Sequence, residues 1–201
     1  PGTGLAWQAE TSNTLLNLSG VSGRTGEVWV VGDFNQQADE FTILKDDGTG
    51  AWTAQTPALG FAENLSDVWV DPASGDVFAV GDNGTAIRYD ASAAAWHDET
   101  ASLNNGVGLN GVTGTSNTNV VAVGAQSTLF LYDGANWTLL AGPGGSVSIA
   151  DVWMEDATHA WVAYFCPEEG WVEFDPTNNT PAMSQHIVTA FGRDYLDVTP
   201  V

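Results

Sequence analysis

Residues 76–99 read DVFAVGDNGTAIRYDASAAAWHDE, and residues 119–140 return the same phrase as NVVAVGAQSTLFLYDGANWTLL. Each copy runs through a short apolar stretch, a turn, a second short stretch ending in Tyr-Asp, and a Trp. Aligning on that aspartate extends the pattern: TILKD ends at Asp46, AIRYD at Asp90, FLYD at Asp133 and VEFD at Asp175, with gaps of 44, 43 and 42 residues. Counting back ten positions from Asp90, Asp133 and Asp175 reaches Val80, Val123 and Phe165, and in the first copy VWVV ends at Val31 because DFNQQADE is inserted. LSGVSG, LSDVWV, LNGVTG and IADVWM stand upstream, and Trp52, Trp96 and Trp137 stand downstream.

Each segment is rich in Val, Trp, Tyr, Phe or Thr and bounded by Gly, Asn, Asp or Pro, which is the signature of strands and turns. No segment carries a helical period. In VGDNGT, Asp82, Asn83 and Gly84 accept positive φ and close a tight hairpin. Four strands per period of about 40 residues predict an all-β chain: a β-propeller of four-stranded antiparallel blades, about four in number, stacked because no blade buries both faces alone. The repeats span 19–55, 64–100, 108–141 and 148–190 within a single domain, 1–201. LAWQAE at 5–10 reads as an outer strand that completes the fourth blade and closes the ring. IVTAFGRDYLDV reads instead as the start of a further blade at 187–201, making the chain part of a larger propeller.

With 43% hydrophobic and 14% charged residues the composition is globular. The charge is one-sided: 25 acids face Arg24, Lys45, Arg88 and Arg193, a formal −21. Such a surface repels phosphates, so nucleic acid is not an expected partner. A net charge of this kind keeps a protein soluble in a saline or extracellular setting. No long apolar run spans a membrane. Cys166 is a single cysteine read as core filler, and His97, His159 and His186 are too scattered to nominate a partner for it. The chain begins at Pro1 without a signal-like segment, which reads as a processed protein or a piece of a longer one.

The phrase LSDVWVDPASGDVFAVGDNGTAIRYDASAAAWHDE resembles the repeats of secreted bacterial β-propellers of the Ycf48-like and BNR-like group, over residues 19–175. The likeness is strong in the second and third copies, weaker in the first, and weakest in the fourth, where AYFCPEEGW replaces the Val-Gly-Asp phrase. It implies scaffolding or assembly roles of the Ycf48 kind, or the sialidase chemistry of BNR-type relatives, whose sites use three arginines. Arg24, Arg88 and Arg193 match that number but occupy unrelated repeat positions.

In such a meander the second-to-third strand loops GDFNQQADE, GDNG, GAQS and CPEEG share one rim. They carry Asp33, Glu40, Asp82, Gln126, Glu168 and Glu169. Carboxylates on converging loops suit calcium. DDGTG at 46–50 has two acids but lacks the rest of a ligand ladder. Trp29, Trp69 and Trp153 recur in one phrase and Trp52, Trp96 and Trp137 in another, so repeated placement assigns them to packing. Trp161 and Trp171 fall in the irregular fourth copy and are the ligand candidates. The favoured reading is a non-enzymatic interaction or scaffolding propeller, extracellular, cell-surface or periplasmic, that docks a protein partner or joins a larger assembly. It needs no cofactor. The alternative is a lectin-like, calcium-assisted glycan-binding module; a BNR-type glycosidase ranks third.

Overall fold

The computed structural model describes residues 9–103, 106–142, 145–156, 159–166, 170–175 and 180–181. They form four antiparallel meanders, each a four-stranded sheet. Blade 1 is β1 (Leu18–Arg24), β2 (Glu27–Asn35), β3 (Glu40–Asp46) and β4 (Thr53–Ala54); blade 2 is β5 (Leu65–Val70), β6 (Val77–Gly81), β7 (Ala86–Asp90) and β8 (Ala95–Asp98). A single helical turn, α1 (Thr100–Leu103), follows. Blade 3 is β9 (Leu109–Ser116), β10 (Asn119–Gly124), β11 (Leu129–Tyr132) and β12 (Trp137–Leu139). Blade 4 is β13 (Ile149–Asp156), β14 (His159–Cys166), β15 (Gly170–Asp175) and β16 (Thr180–Pro181).

The first strands line the inside, β1 against β5, β5 against β9 and β9 against β13. Each is broken by a bulge at the same place, after Leu18, Leu65, Leu109 and Ile149. Second strands are buried on both faces, as in VFAVG of β6, where every residue is inaccessible. The cores lie between blades. Trp29, Val31, Val68 and Ile87 join blades 1 and 2. Phe78, Val80, Val112 and Tyr132 join blades 2 and 3, and Val121, Leu129, Ile149 and Val152 join blades 3 and 4. Stacking of this kind is what the repeat in the sequence encodes.

The aromatic residues repeat as sets. Trp29 of blade 1 meets Tyr89 and Trp96 of blade 2 with ring centroids 5.4 and 5.9 Å away. Phe78 of blade 2 meets Tyr132 and Trp137 of blade 3 at 5.4 and 6.4 Å. The same second-strand position therefore plugs the same Tyr-Trp pair on the next blade. Trp153, assigned to packing from its repeat, is instead 56% exposed on the outer face of blade 4.

The spacing aspartates have a local job. Asp46 accepts hydrogen bonds from the N–H groups of Gly48, Thr49 and Gly50, Asp90 from Ser92 and Ala93, and Asp133 from Ala135 and Asn136. Each closes the turn between third and fourth strands as an Asx turn. These bonds hold the Asp90 and Asp133 carboxyls below the usual range, through the Ser92 hydroxyl and Ala93 N–H in one case and the N–H groups of Asn136 and Ala135 in the other.

Copy four departs from this ruler. Ala163 stands opposite Asp151 as Val80 stands opposite Asp67, so Ala163, not Phe165, holds the register of Val80. Asp175 stands opposite Thr180, the register of Arg88 opposite His97. Blade 4 takes its fourth strand from Thr180–Pro181, the place that the sequence reading left to residues 5–10. Of that N-terminal stretch, residues 5–8 are outside the described residues, and Glu10 accepts a 2.9 Å hydrogen bond from Trp52 Nε1 of blade 1. Residues 187–201, read as the start of a further blade, are also outside them.

Candidate functional site

The antiparallel order gives the disc two rims. An upper rim carries the β2–β3 and matching hairpins with the blade-to-blade links; a lower rim carries the other hairpins.

On the upper rim the candidates Asp33 and Asp82 occupy the same position, directly after Gly32 and Gly81. Each binds an Asn of its own blade's incoming link twice. Asp33 N–H donates to the Asn17 carbonyl at 3.0 Å and its carboxylate accepts from Asn17 Nδ2 at 2.6 Å. Asp82 repeats this with Asn64 at 3.0 and 2.8 Å. The glycine before the aspartate is required: a Cβ on Gly32 or Gly81 would overlap the Asn17 or Asn64 carbonyl oxygen. Asn64 Oδ1 also accepts from the Phe34 N–H at 2.8 Å, tying blade 1 to blade 2. Next to this, Asn83 Nδ2 donates to Glu63 at 3.0 Å.

Asn83 and Gly84 take φ of 56° and 73°, the left-handed pair that a tight hairpin turn demands. The candidate Gln126 sits in the matching turn of blade 3, where Gln126 and Ser127 adopt 56° and 59° without a glycine. Ser127 is anchored there by its N–H to the Val147 carbonyl at 2.6 Å and its hydroxyl to the Gly145 carbonyl at 3.1 Å. Glu40 is exposed, opposite Asn35 at the end of blade 1's longer hairpin.

Asp33, Asp82, Glu63 and their asparagines therefore form one continuous network, with Glu40 and Gln126 on flanking hairpins. Glu168 and Glu169 lie outside the described residues. Trp161 and Trp171 do not share a place. Trp161 stands opposite Trp153 in mid-strand, the register that Phe78 and Trp29 hold in blades 2 and 1. Trp171 stands opposite Phe165, beyond the register where β6 ends, on a hairpin that reaches farther up than its counterpart in blade 2. Glu63, Asn17 and Asn64 were not among the candidate site residues. The signal was present: Asn-Leu-Ser at 17–19 and 64–66 accompanies Gly-Asp at 32–33 and 81–82, and both are replaced together in copies three and four.

The cations lie toward the lower rim. Glu27 takes Arg24 at 3.0 Å and Lys45 at 3.1 Å, while Lys45 also lies 4.9 Å over the Trp29 ring. Burial works against ionisation of Glu27, but its bonds to Trp29 Nε1, Lys45 and Arg24 hold the carboxyl below the usual range. Arg88 meets Asp76, Asp90 and Glu99 at 3.5, 3.8 and 3.3 Å. Asn117 of blade 3 donates to Asp71 and Asp76 at 3.0 and 3.1 Å, bringing the next blade into this cluster. Arg24 and Arg88 are thus engaged by acids at the seams, and Arg193 lies outside the described residues. Among the described residues no three His, Cys, Asp or Glu side chains come together as metal ligands. The acids of DDGTG are occupied by the turn donors and, for Asp47, by the Thr49 hydroxyl at 2.8 Å. No helix of the described residues is long and apolar enough to cross a membrane.

No protein-family model matches the chain. A stretch of 50 residues is 42% identical to uncharacterized proteins of Mycobacterium tuberculosis and Mycobacterium bovis, covering 23% of this chain and 16% of theirs. An uncharacterized Mycobacterium leprae protein is 40% identical over 48 residues, with 24% and 16% covered. The chain thus spans about a sixth of the length of these relatives. Among solved structures the fold is similar to Ycf48, described as bound to D1 peptide, with a TM-score of 0.60 and 15% identity, covering 81% of this chain and 52% of that one. The architecture is that of a β-propeller.

Proposed function

We propose that the chain is a non-enzymatic interaction or scaffolding propeller, extracellular or periplasmic, which docks a protein partner on its upper rim or serves as a subunit of a larger assembly. The observation that carries this is an upper rim whose acids have no cation beside them among the described residues. Arg24, Lys45 and Arg88 are paired toward the lower rim, whereas Asp33, Asp39, Glu40, Glu63 and Asp82 line the upper one, Asp33 and Asp82 held by the amides of Asn17 and Asn64. A basic protein surface complements such a rim and is steered to it. The peptide-bound Ycf48 structure supports the reading, since a propeller of similar fold takes a protein segment.

The test begins with the native particle, isolated from its source and weighed by light scattering, with its polypeptides identified by mass spectrometry. A co-purifying basic protein that is lost from the Asp39→Lys, Glu40→Lys double variant supports rim docking. Retention of that protein by the variant rejects it. Trp171, placed at the top of blade 4's long hairpin, favours a second reading, a glycan-binding module assisted by calcium. Glycan binding that survives both chelation and Trp171→Ala eliminates that version.

A further inference from the structure

We draw no further inference here: the strongest candidate, the small cleft on blade 1 between the incoming link at residues 12–16 and strands β3 and β4, with Glu40 and Trp52 in its wall, carries nothing because residues 1–8 of the same link are outside the described residues and nothing in the structure shows what covers it.

Discussion

At the lower rim Arg88 is ringed by Asp76, Asp90 and Glu99, while at the upper rim Asp33 and Asp82 meet the amides of Asn17 and Asn64. Both arrangements hold a blade to its connections, but their electrostatics differ. The single charge of Arg88 offsets one of the three acids around it. An amide satisfies the geometry of a carboxylate and leaves its charge facing water. Arg24, Lys45 and Arg88 all lie toward the lower rim, so among the described residues the acids of the upper rim have no cation to offset them. The upper rim is therefore built to remain acidic and rigid together.

The largest expected effect comes from removing the clearance on which the upper rim depends. Gly81→Ala would drive a methyl group into the Asn64 carbonyl, and urea unfolding should show a loss of about 3 kcal/mol from this overpacking. A loss near zero would mean that the latch can shift, and the upper rim would not be the rigid element in the comparison. Next in size is the lower rim. Arg88→Met leaves Asp76 and Glu99, only 7% and 14% exposed, without their cation. The expected loss is about 2–3 kcal/mol, discounted from that of a fully buried pair because the Arg88 side chain is 17% exposed. Arg24→Met is the control: its side chain is 30% exposed and, among the described residues, pairs with Glu27, so about 1 kcal/mol or less is expected.

The blades themselves were legible from the sequence because packing demands recur at each seam: Trp or Phe on a second strand, Tyr and Trp on the next blade. Copy four defeats the ruler because its β14–β15 hairpin is longer, so Asp175 falls at the register of Arg88. The rim was only partly legible. Asp33 and Asp82 were located by their loops, but their partners lie 16 and 18 residues upstream, in links that show no strand pattern. The split between buried Val68 and exposed Val21 was hidden for another reason: identical residues in identical registers differ because, among the described residues, blade 1 packs over Val68 and no blade packs over Val21.

Between the rims lies Asp67, an acid met by backbone N–H groups and by neither a cation nor a side-chain amide among the described residues. Burial pushes the Asp67 carboxyl up to about 6, with a smaller push from Asp151, against the N–H groups of Val112 and Val68 that stabilise its charge. Its ordinary value is 3.8, so between about pH 4 and pH 6 the folded chain holds a proton that the unfolded chain has released. Stability from this group falls as pH rises through that window, and the full cost persists above it. Below the window both states are protonated and the cost vanishes. Asp67→Asn keeps an acceptor for Val112 and is expected to add about 2 kcal/mol at pH 7.5 and almost nothing at pH 3.5. Urea midpoints at both values decide it. An equal change at both pH values would remove Asp67 from the charge argument.

A finer difference separates two latches of one design. Asn17 and Asn64 each receive an aspartate N–H on the carbonyl and donate Nδ2 to the same aspartate, but only Asn64 also accepts from the neighbouring blade, at Phe34 N–H. Alanine at either position keeps the backbone bond and removes the amide. At 17 the loss is one hydrogen bond to an ionised carboxylate on an accessible rim, about 1 kcal/mol. At 64 the Phe34 N–H also loses its acceptor, so the expected loss is about 1–2 kcal/mol. Hydrogen exchange at the Phe34 amide provides the sharper measurement: it should quicken in Asn64→Ala and stay unchanged in Asn17→Ala. If both variants quicken it equally, the latches act within their own blades and the link across the upper rim is carried by packing alone.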